Sequence, residues 1–546
     1  MTQQSPTYGT TPMPQASRQG RKYPVGIQTF SEIINGGYVY IDKTDLVWNM
    51  AHEAKYIFLS RPRRFGKSLL TTTLVSYFQG RKDLFEGLKI MALEQEWGSY
   101  PVTHVDVSTA KGRETTKELR QALIKQLKPY GEVYGQDEDE GTPGEVMSGL
   151  IRRAYKKTGK QVVIVIDEYD APLLEVLHEE RLNDFRRVMQ EFYVVLKASE
   201  AMVKFCFITG ITKFSQLSIF STINNLLNVT MDPRYAAICG ITEQEFDNDM
   251  APDIAMLAEE YECTPEEMHA KLKLQYDGYH FSENSPEVYN PFSLLKCFQQ
   301  RKISNYWFES GTPTFLLHQM QRFRTDITTM DCIECDATSF DCPTEAMEDA
   351  LPLLYQSGYL TIKGYDRVGE IYTLSIPNNE VRVGLVRGLI PAYIGLDGGT
   401  LRNGFALKFY RALLNDDMAR AMDEMQAFLA GIPYVEGFKK KLAEAATAEG
   451  FYEYTMYLVF SMLNVYVRTQ VKCAGGRTDL VVWMPDTIYV FELKVNGTAL
   501  EALKQIDEKS YAIPYQTDGR PIVKVGVKFD AEKRVPEEWV IGNGHD

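Results

Sequence analysis

Cysteines are few in this sequence, and they form no framework that would hold a metal or a disulfide network. Its 8 cysteines are scattered over 546 residues. Cys332 and Cys335 make one CxxC, with Cys342 close behind, but no second CxxC and no histidine lies near them. Because a structural zinc site takes four ligands, we expect reduced, inert thiols, as in a cytoplasmic protein.

Long apolar runs and an excess of basic residues are lacking as well. The apolar runs are much shorter than the roughly 20 residues that span a bilayer. Residues 1–20 are polar and contain no apolar core of a signal peptide, so they predict a disordered tail. These features predict a soluble, cytoplasmic protein. The net charge of −14 argues against a broadly basic protein that coats nucleic acid, and restricts such contacts to local, salt-sensitive ones.

The length points to several domains, since a domain takes about 150 residues. Composition and pattern divide the chain after the tail into three parts. We expect an N-terminal α/β domain over residues 21–247, a mainly helical region over 248–400, and a compact α/β domain over 401–546. The Gly-rich sequence DGGTL at 397–401 is a plausible boundary between the last two.

The first part alternates strands with helices, which predicts a parallel sheet flanked by helices. The acidic stretch 135–144 is expected to be an exposed loop. The predicted strands lie at 56–60, 102–107, 162–166 and 205–208, and the predicted helices at 69–78, 115–127 and 182–196.

In the second part, a helix over 347–355 is followed by a hairpin of strands 358–363 and 371–376. This order suits either a winged-helix unit or a lid packed on the first domain. The third part begins with a helical region that runs to about residue 464. Its predicted strands lie at 465–471, 479–484, 487–491 and 522–529, with a helix over 500–511.

A phosphate-binding loop is predicted at Arg61–Ser68, which follows a strand and opens a helix. Its backbone N–H groups would face the β-phosphate of ATP. Lys67 would reach the β- and γ-phosphates, and Ser68 would bind Mg²⁺. Arg61 stands where the general motif has its first glycine. The loop residues predicted to bind ATP are Arg64, Phe65, Gly66, Lys67, Ser68 and Leu69.

A second motif supports the ATP site. The apolar run 162–166 ends in Asp167, which would hold Mg²⁺, and Glu168, which would polarise the attacking water as a general base. The strand 102–107 lies in the chain between this run and the loop. Thr209, after the next apolar run, is either a polar sensor of the γ-phosphate or a simple turn residue. The alternative is that the two carboxylates only cap a helix and face solvent.

The third part carries a pattern typical of a metal-dependent nuclease. Asp479 begins one predicted strand, and the next strand ends in Glu492 and Lys494, which alternation places on one face. A hairpin would bring Asp479 to the same edge. Two carboxylates and an ammonium at one point suit a divalent metal beside a phosphodiester. The alternative is a degenerate nuclease fold that is retained as a binding module and does not cut.

Five sequence motifs together resemble the AAA-ATPase-like family, whose members usually carry a C-terminal PD-(D/E)XK nuclease-like domain. They are YPVGIQTF from Tyr23, YIDKT from Tyr40, SRPRRFGKS from Ser60, IDEYD from Ile166 and TGITKFS from Thr209. The resemblance implies that arginine at position 61 belongs to the family's pattern.

For the third part, the resemblance implies a restriction-endonuclease-like, four-stranded mixed sheet with helices on both faces. Asp479 and Glu492 match the metal ligands, the Leu493 carbonyl would complete the protein's share of the shell, and Lys494 would position the attacking water. Mg²⁺ is the natural ion for such an oxygen-rich site.

Two helices flank this site. On the upstream one, Glu449 fits the family's spacing for an additional carboxylate. Glu453, one turn further, either helps to bind metal or is exposed, and we favour exposure. On the downstream helix, Gln505 and Lys509 share a face and would touch a DNA backbone.

The leading hypothesis is an ATP-hydrolysing protein whose nuclease domain cleaves nucleic acid, first of all DNA, under nucleotide control. A first alternative is a nucleotide-dependent switch that binds DNA or a protein partner without cutting. A second is a sensor that uses ATP to form a homo-oligomer. Fold-level analogy does not choose between them.

Overall fold

The computed structural model describes residues 21–543 with internal gaps. No helix in this described part is long and apolar enough to cross a membrane. The gaps are residues 178, 214–225, 310–315, 317–318, 321, 324, 326–329, 331, 345–346, 386–404, 406–407, 410, 414, 431–451, 454, 458, 461–465, 474–475, 485 and 534.

The first part contains a sheet of five parallel strands in the order β2-β3-β4-β1-β5. The inner strand β3 is buried along its whole length, as expected where helices cover both faces. The strand predicted at 102–107 is β2, which lies between β1 and β3 in the chain, whereas in the sheet β4 separates β1 from β3. The bounds are β1 Tyr56–Ser60, β2 Val102–Asp106, β3 Val162–Asp167, β4 Val203–Gly210 and β5 Leu226–Asn228.

The helices of this part confirm the alternating pattern, with one correction. The predicted loop 135–144 ends early, because a helix that we did not predict begins at Pro143. Thr142 and Glu145 form a capping box at its start, a local signal that the sequence does contain. The helices are Phe30–Asn35, Thr44–Glu53, Lys67–Phe78, Thr116–Tyr134, Pro143–Thr158, Ala171–Glu175 and Leu182–Ala198.

The middle part is helical with two small sheets, which are β6 paired with β7 and three antiparallel strands in the order β8-β10-β9. The predicted hairpin is confirmed as β9 and β10, while β8 is an addition. The strands are β6 Ile241–Thr242, β7 Val288–Tyr289, β8 Ile333–Cys335, β9 Thr361–Asp366 and β10 Ile371–Ser375. The helices are Glu243–Glu260, Pro265–Tyr276, Pro291–Gln300, Tyr306–Glu309, Ala337–Phe340, Leu351–Gln356 and residues 379–385.

The last part contains a mixed sheet in the order β11-β12-β13-β14-β15. In the described residues this sheet has five strands, one more than the four that the resemblance implies. The strand predicted at 522–529 is β14, and it is not the last one, because β15 follows it. Only the β13–β14 pair is parallel, and the helix Ala499–Glu508 makes its crossover. The strands are β11 Tyr466–Cys473, β12 Gly476–Trp483, β13 Ile488–Lys494, β14 Ile522–Asp530 and β15 Val535–Asn543; the helix Met418–Ala430 precedes them.

The crossover helix lies directly on the sheet beside Glu492. Glu492 pairs in register with Gly526 of β14. A Cβ at Gly526 would lie only 2.1 Å from the Ala499 carbonyl oxygen, so only glycine allows this approach. The close contact brings the helix, and with it Gln505, over the end of β13.

Candidate active sites

The predicted phosphate-binding loop connects β1 to the helix that begins at Lys67. Gly66 has a φ of 95°, a left-handed conformation that favours glycine. The Lys67 Nζ donates to the carbonyl oxygens of Arg61 (3.0 Å) and Pro62 (3.1 Å). The lysine therefore lies across the mouth of its own loop, where a phosphate would compete for the same ammonium.

Arg61, at the position of the general motif's first glycine, is a buried structural residue. Its guanidinium donates to the carbonyl oxygens of Ser60 (2.9 Å), Thr230 (2.8 Å) and Tyr235 (3.1 Å). It also lies 4.2 Å from the ring centroid of Phe281. Burial lowers the pKa of Arg61 to about 10, so it stays charged at neutral pH and ties the loop to the segment after β5.

The outer side of the loop packs on the middle part of the chain. The ring of Phe65 lies 4.7 Å from that of Tyr279 and 5.4 Å from that of Phe281. The indole Nε1 of Trp307 donates to the Arg63 carbonyl oxygen at 3.1 Å. The conformation of the loop is therefore held from two sides, by the sheet below it and by the middle part above it.

Asp167 ends β3 beside the loop and is only 4 % exposed. Burial raises its pKa to about 6, although a hydrogen bond from the Ser68 hydroxyl and the ammonium of Lys67 act in the opposite direction. The Ser68 and Asp167 oxygens thus lie together, and such a donor set fits Mg²⁺ that keeps several of its waters.

Glu168 is held by a cation that the sequence reasoning missed. Its carboxylate lies 3.0 Å from the Lys111 Nζ, and its backbone φ is 48°, a strained value for a residue with a side chain. Burial pushes the pKa of Glu168 upward, but Lys67, Lys111 and Arg63 outweigh it, so the pKa lies below its ordinary value. Lys111 follows β2, and no local motif marks it.

Thr209 lies inside β4, so the interpretation as a turn residue is wrong. It is fully buried, and its hydroxyl donates to the Leu59 carbonyl oxygen at 2.7 Å. This bond joins β4 to β1, and the role of Thr209 as a sensor stays a prediction. The backbone N–H groups of Ile211 and Thr212, just beyond it, donate to the carboxylate of Asp170.

A cavity of about 700 Å³ lies beside the loop. Its polar lining suits phosphates, and its apolar lining suits a planar base. Phe65 packs behind the loop instead and is absent from this lining. Polar lining residues include Arg63, Arg64, Lys67, Ser68, Lys111 and Glu168; apolar ones include Val25, Ile27, Leu69, Phe292, Leu295 and Trp307.

The second site lies on β12 and β13, which are paired antiparallel with Leu480 opposite Phe491. The Asp479 carboxylate accepts a hydrogen bond from the backbone N–H of Leu493 at 2.8 Å. Glu492 is 2 % exposed, and its Oε1 lies 3.8 Å from the Lys494 Nζ. The structure therefore brings the three predicted residues together at the end of β13.

Gln505 donates from Nε2 to the same Glu492 oxygen. Its carboxamide is therefore directed into the site, and the contact of Gln505 and Lys509 with a DNA backbone stays a prediction. Spacing along the helix placed Gln505 on a face, but only the packing of that helix on Gly526 decides what the face meets.

Glu453 also departs from expectation. It is 7 % exposed, so the preferred prediction of exposure is wrong. Gln470 donates to its carboxylate. Gln470 has a φ of 52° and sits between the pairs Thr469–Leu480 and Val471–Thr478, across from Asp479. Glu449 and the basic run 439–441 lie outside the described residues.

The donors at the second site are oxygens. In the described part of the chain, no group of three His, Cys, Asp or Glu side chains could by itself hold a metal ion. The two carboxylates of Asp479 and Glu492 with the carbonyl of Leu493 form a set that suits Mg²⁺, because this ion usually keeps several waters.

Together, the predicted phosphate-binding loop over a parallel sheet and the carboxylates on a mixed sheet are typical of an ATPase joined to a nuclease-like domain. Residues 24–220 match the family model described as a predicted AAA-ATPase, and residues 447–539 match that of the PD-(D/E)XK nuclease superfamily. The chain belongs to the predicted AAA-ATPase family and carries a PD-(D/E)XK nuclease superfamily domain. Such domains generally use a nucleotide and a divalent metal.

A curated relative has nearly the same length. It is a protein of Azotobacter chroococcum mcd 1 described as "Uncharacterized protein in vnfD 5'region", 34% identical over 537 residues, which cover 95% of this chain and 99% of the relative. Among solved structures, that of Drosophila ORC bound to GC-rich DNA and Cdc6 is 9% identical with a TM-score of 0.22. The match covers 59% of this chain and about half (51%) of that one, and a likeness this low carries no argument.

Proposed function

We propose that this protein hydrolyses ATP and cleaves phosphodiester bonds of nucleic acid at a metal-dependent nuclease site under nucleotide control. The proposed nucleic acid is DNA. The observation that carries the proposal is that Asp479, Glu492 and Lys494 meet at the end of β13. The same chain has a cavity with polar and apolar lining residues beside its predicted phosphate-binding loop. The three-part division at residues 247 and 400, and a cytoplasmic location, belong to the same proposal.

At the ATP site, Lys67 would hold the β- and γ-phosphates, supported by the backbone of Arg64, Gly66 and Leu69. Ser68 and Asp167 would hold Mg²⁺, which offsets phosphate charge when bound. Glu168, whose pKa is lowered by the surrounding cations, is ionised at neutral pH and can orient a water for attack.

Two residues of the predicted ATP set have less direct roles. Phe65 would hold the loop in place without contacting ATP, since its ring packs on those of Tyr279 and Phe281. Thr209, whose hydroxyl is used within the sheet, would act on the γ-phosphate only through the backbone that follows it.

At the nuclease site, Asp479, Glu492 and the Leu493 carbonyl would hold Mg²⁺, which supplies an activated water and charge stabilisation when bound. Lys494 would position that water and offset charge in the transition state. Gln505 would orient Glu492 through its hydrogen bond, as groups behind metal ligands commonly do.

The test is loss of plasmid and single-stranded DNA with Mg²⁺ or Mn²⁺, with and without ATP. Wild type is compared with Asp479→Ala, Lys67→Ala and a control, Asp507→Ala. Asp507 lies on the crossover helix, 53% exposed, paired with Lys524. Cutting that disappears in Asp479→Ala and persists in Asp507→Ala establishes the nuclease, and Lys67→Ala shows whether ATP controls it. No cutting under any condition, with ATP binding intact, would replace this proposal by the nucleotide-dependent switch.

A further inference from the structure

We infer that nucleotide occupancy is transmitted to the nuclease site through a chain of buried contacts, Trp307 to Glu380, Arg382 and Tyr457. This inference rests on the proposed function, because it names how the ATP site would control the nuclease. It assigns positioning roles to four residues that are not ligands of either metal. We call these four residues the relay.

The relay begins at the ATP cavity. Trp307 lines the cavity, and its indole N–H donates to the carbonyl oxygen of Arg63 in the phosphate-binding loop. Its ring also lies 5.0 Å from that of Tyr359. Any rearrangement of the loop backbone at Arg63 therefore acts directly on the position of Trp307.

The loop has a physical reason to rearrange. The Lys67 ammonium donates to the carbonyl oxygens of Arg61 and Pro62, and bound phosphate would draw it away. Arg63 follows Pro62 directly, so the change in bonding occurs one residue from the carbonyl that Trp307 holds. Competition for one ammonium gives the loop two alternative arrangements, which coupling between sites requires.

The middle of the relay consists of two buried charged residues within the helical residues 379–385. The backbone N–H of Trp307 donates to Glu380 Oε1 at 2.8 Å, and Glu380 is fully buried. Arg382 is 6 % exposed, and its guanidinium donates to the Tyr457 hydroxyl at 3.1 Å. Because breaking a hydrogen bond to a buried charge is costly, displacement of Trp307 should move this helix.

The relay ends beside the catalytic carboxylates. Tyr457 and Phe460 are both helical and lie three residues apart in the chain, a spacing at which side chains of a helix are neighbours. The Phe460 ring lies 5.3 Å from that of Phe491, and Phe491 immediately precedes Glu492 on β13. A shift of the Tyr457 stretch would therefore reach the strand that carries the proposed metal ligands.

The experiment measures binding, so that it does not depend on cutting. In an Asp479→Ala parent with Mg²⁺, the Kd of a fluorescent DNA oligonucleotide is measured with ADP and with a non-hydrolysable ATP analogue. The coupling factor is the ratio of the two values. We expect about fivefold or more in the parent, within the usual range of coupling energies, and less than about twofold after Tyr457→Phe.

The variants are chosen to separate coupling from folding. Tyr457→Phe removes only the hydroxyl that Arg382 contacts, and ATP hydrolysis should be unchanged. Tyr489→Phe is the matched control, since it removes a hydroxyl that is bonded to Asp416 at 2.9 Å and not to Arg382, while the ring beside Phe491 stays in place. Arg382→Lys is a second test of the same contact. Combining Trp307→Phe with Tyr457→Phe should reduce coupling no further than either change alone.

Reciprocity gives a second readout. Because coupling acts equally on both ligands, the oligonucleotide must change the affinity for the ATP analogue relative to ADP by the same factor. A parent with a coupling factor of one would overturn nucleotide control itself, and the relay with it. A coupled parent in which both Tyr457→Phe and Arg382→Lys keep the full factor would overturn the relay alone.

Discussion

The proposed ATP site and the proposed nuclease site assemble their charged groups in different ways. At the ATP site, Lys67, Lys111 and Glu168 come from loops that follow three different strands of a parallel sheet. At the nuclease site, Asp479 and Glu492 come from two adjacent strands joined by a short turn. The first arrangement depends on the order of distant strands, whereas the second depends mainly on local register.

The two sites also stabilise their carboxylates differently. Glu168 is kept ionised by nearby ammonium and guanidinium groups, whereas Glu492 is bonded by the neutral carboxamide of Gln505 as well as approached by Lys494. Asp167, with less compensation, has a raised pKa. Burial alone therefore does not decide protonation; the neighbouring charges do.

The largest expected effects separate the two sites completely. Lys67→Ala should reduce ATP hydrolysis at least about 100-fold, because the ammonium would contact the phosphates, and should leave nucleotide-free cutting intact. Asp479→Ala should reduce cutting by a similar factor, because it removes a metal ligand, and leave ATP hydrolysis intact. Phosphate release and plasmid nicking are measured on the same preparations. Loss of ATP hydrolysis in Asp479→Ala, or of nucleotide-free cutting in Lys67→Ala, would contradict two separate sites.

A second change tests the role of Lys111. Lys111→Met should lower kcat for ATP about 10- to 100-fold with a smaller change in KM, because Glu168 loses the cation that orients it. Lys111→Arg should restore part of the rate. The control is Lys117→Met, which removes the same charge from an exposed helix position. An unchanged kcat in Lys111→Met would show that the ion pair is incidental.

A third change probes the carboxamide of the nuclease site. Gln505→Ala should raise the Mn²⁺ concentration needed for half-maximal cutting about tenfold, because an orienting hydrogen bond to a metal ligand is lost. Glu508→Ala, exposed on the same helix, serves as control. If both variants need the same Mn²⁺ concentration as wild type, Gln505 has no orienting role.

The smallest effect concerns a carboxylate outside both sites. Burial raises the pKa of Asp277 to about 6, above its unfolded value, so its protonated form is favoured in the folded state. The stability it contributes is complete below about pH 4 and is lost as the pH rises through 6. Asp277→Asn should therefore raise the free energy of unfolding at pH 8 by about 1 to 3 kcal/mol, with little effect at pH 4.

Urea denaturation at both pH values checks this expectation. Asp139→Asn, in an exposed loop, is the control and should change stability at neither pH. Equal effects of Asp277→Asn at pH 4 and pH 8 would show that the carboxylate is compensated by its neighbours, as Glu168 is.

Short sequence patterns predict most of the residues of the two proposed sites. The loop around Lys67, the carboxylates at 167–168 and the trio Asp479, Glu492 and Lys494 are defined by short spacings on regular elements. Their strands were also predicted to within a few residues. The structure differs from the prediction at the helix from Pro143, which a capping box begins, and at β15, which joins the sheet beside β14.

The sequence by itself determined which residue types follow which strands, because phosphate and metal chemistry depend on short, local patterns. Only the tertiary structure decided that β4 lies between β1 and β3, that Lys111 meets Glu168, and that Gln505 and Glu453 turn inward. Those outcomes depend on the packing of segments far apart in the chain, such as the approach of a helix to Gly526. Burial and pairing over such distances are properties of the whole fold, which no local spacing encodes.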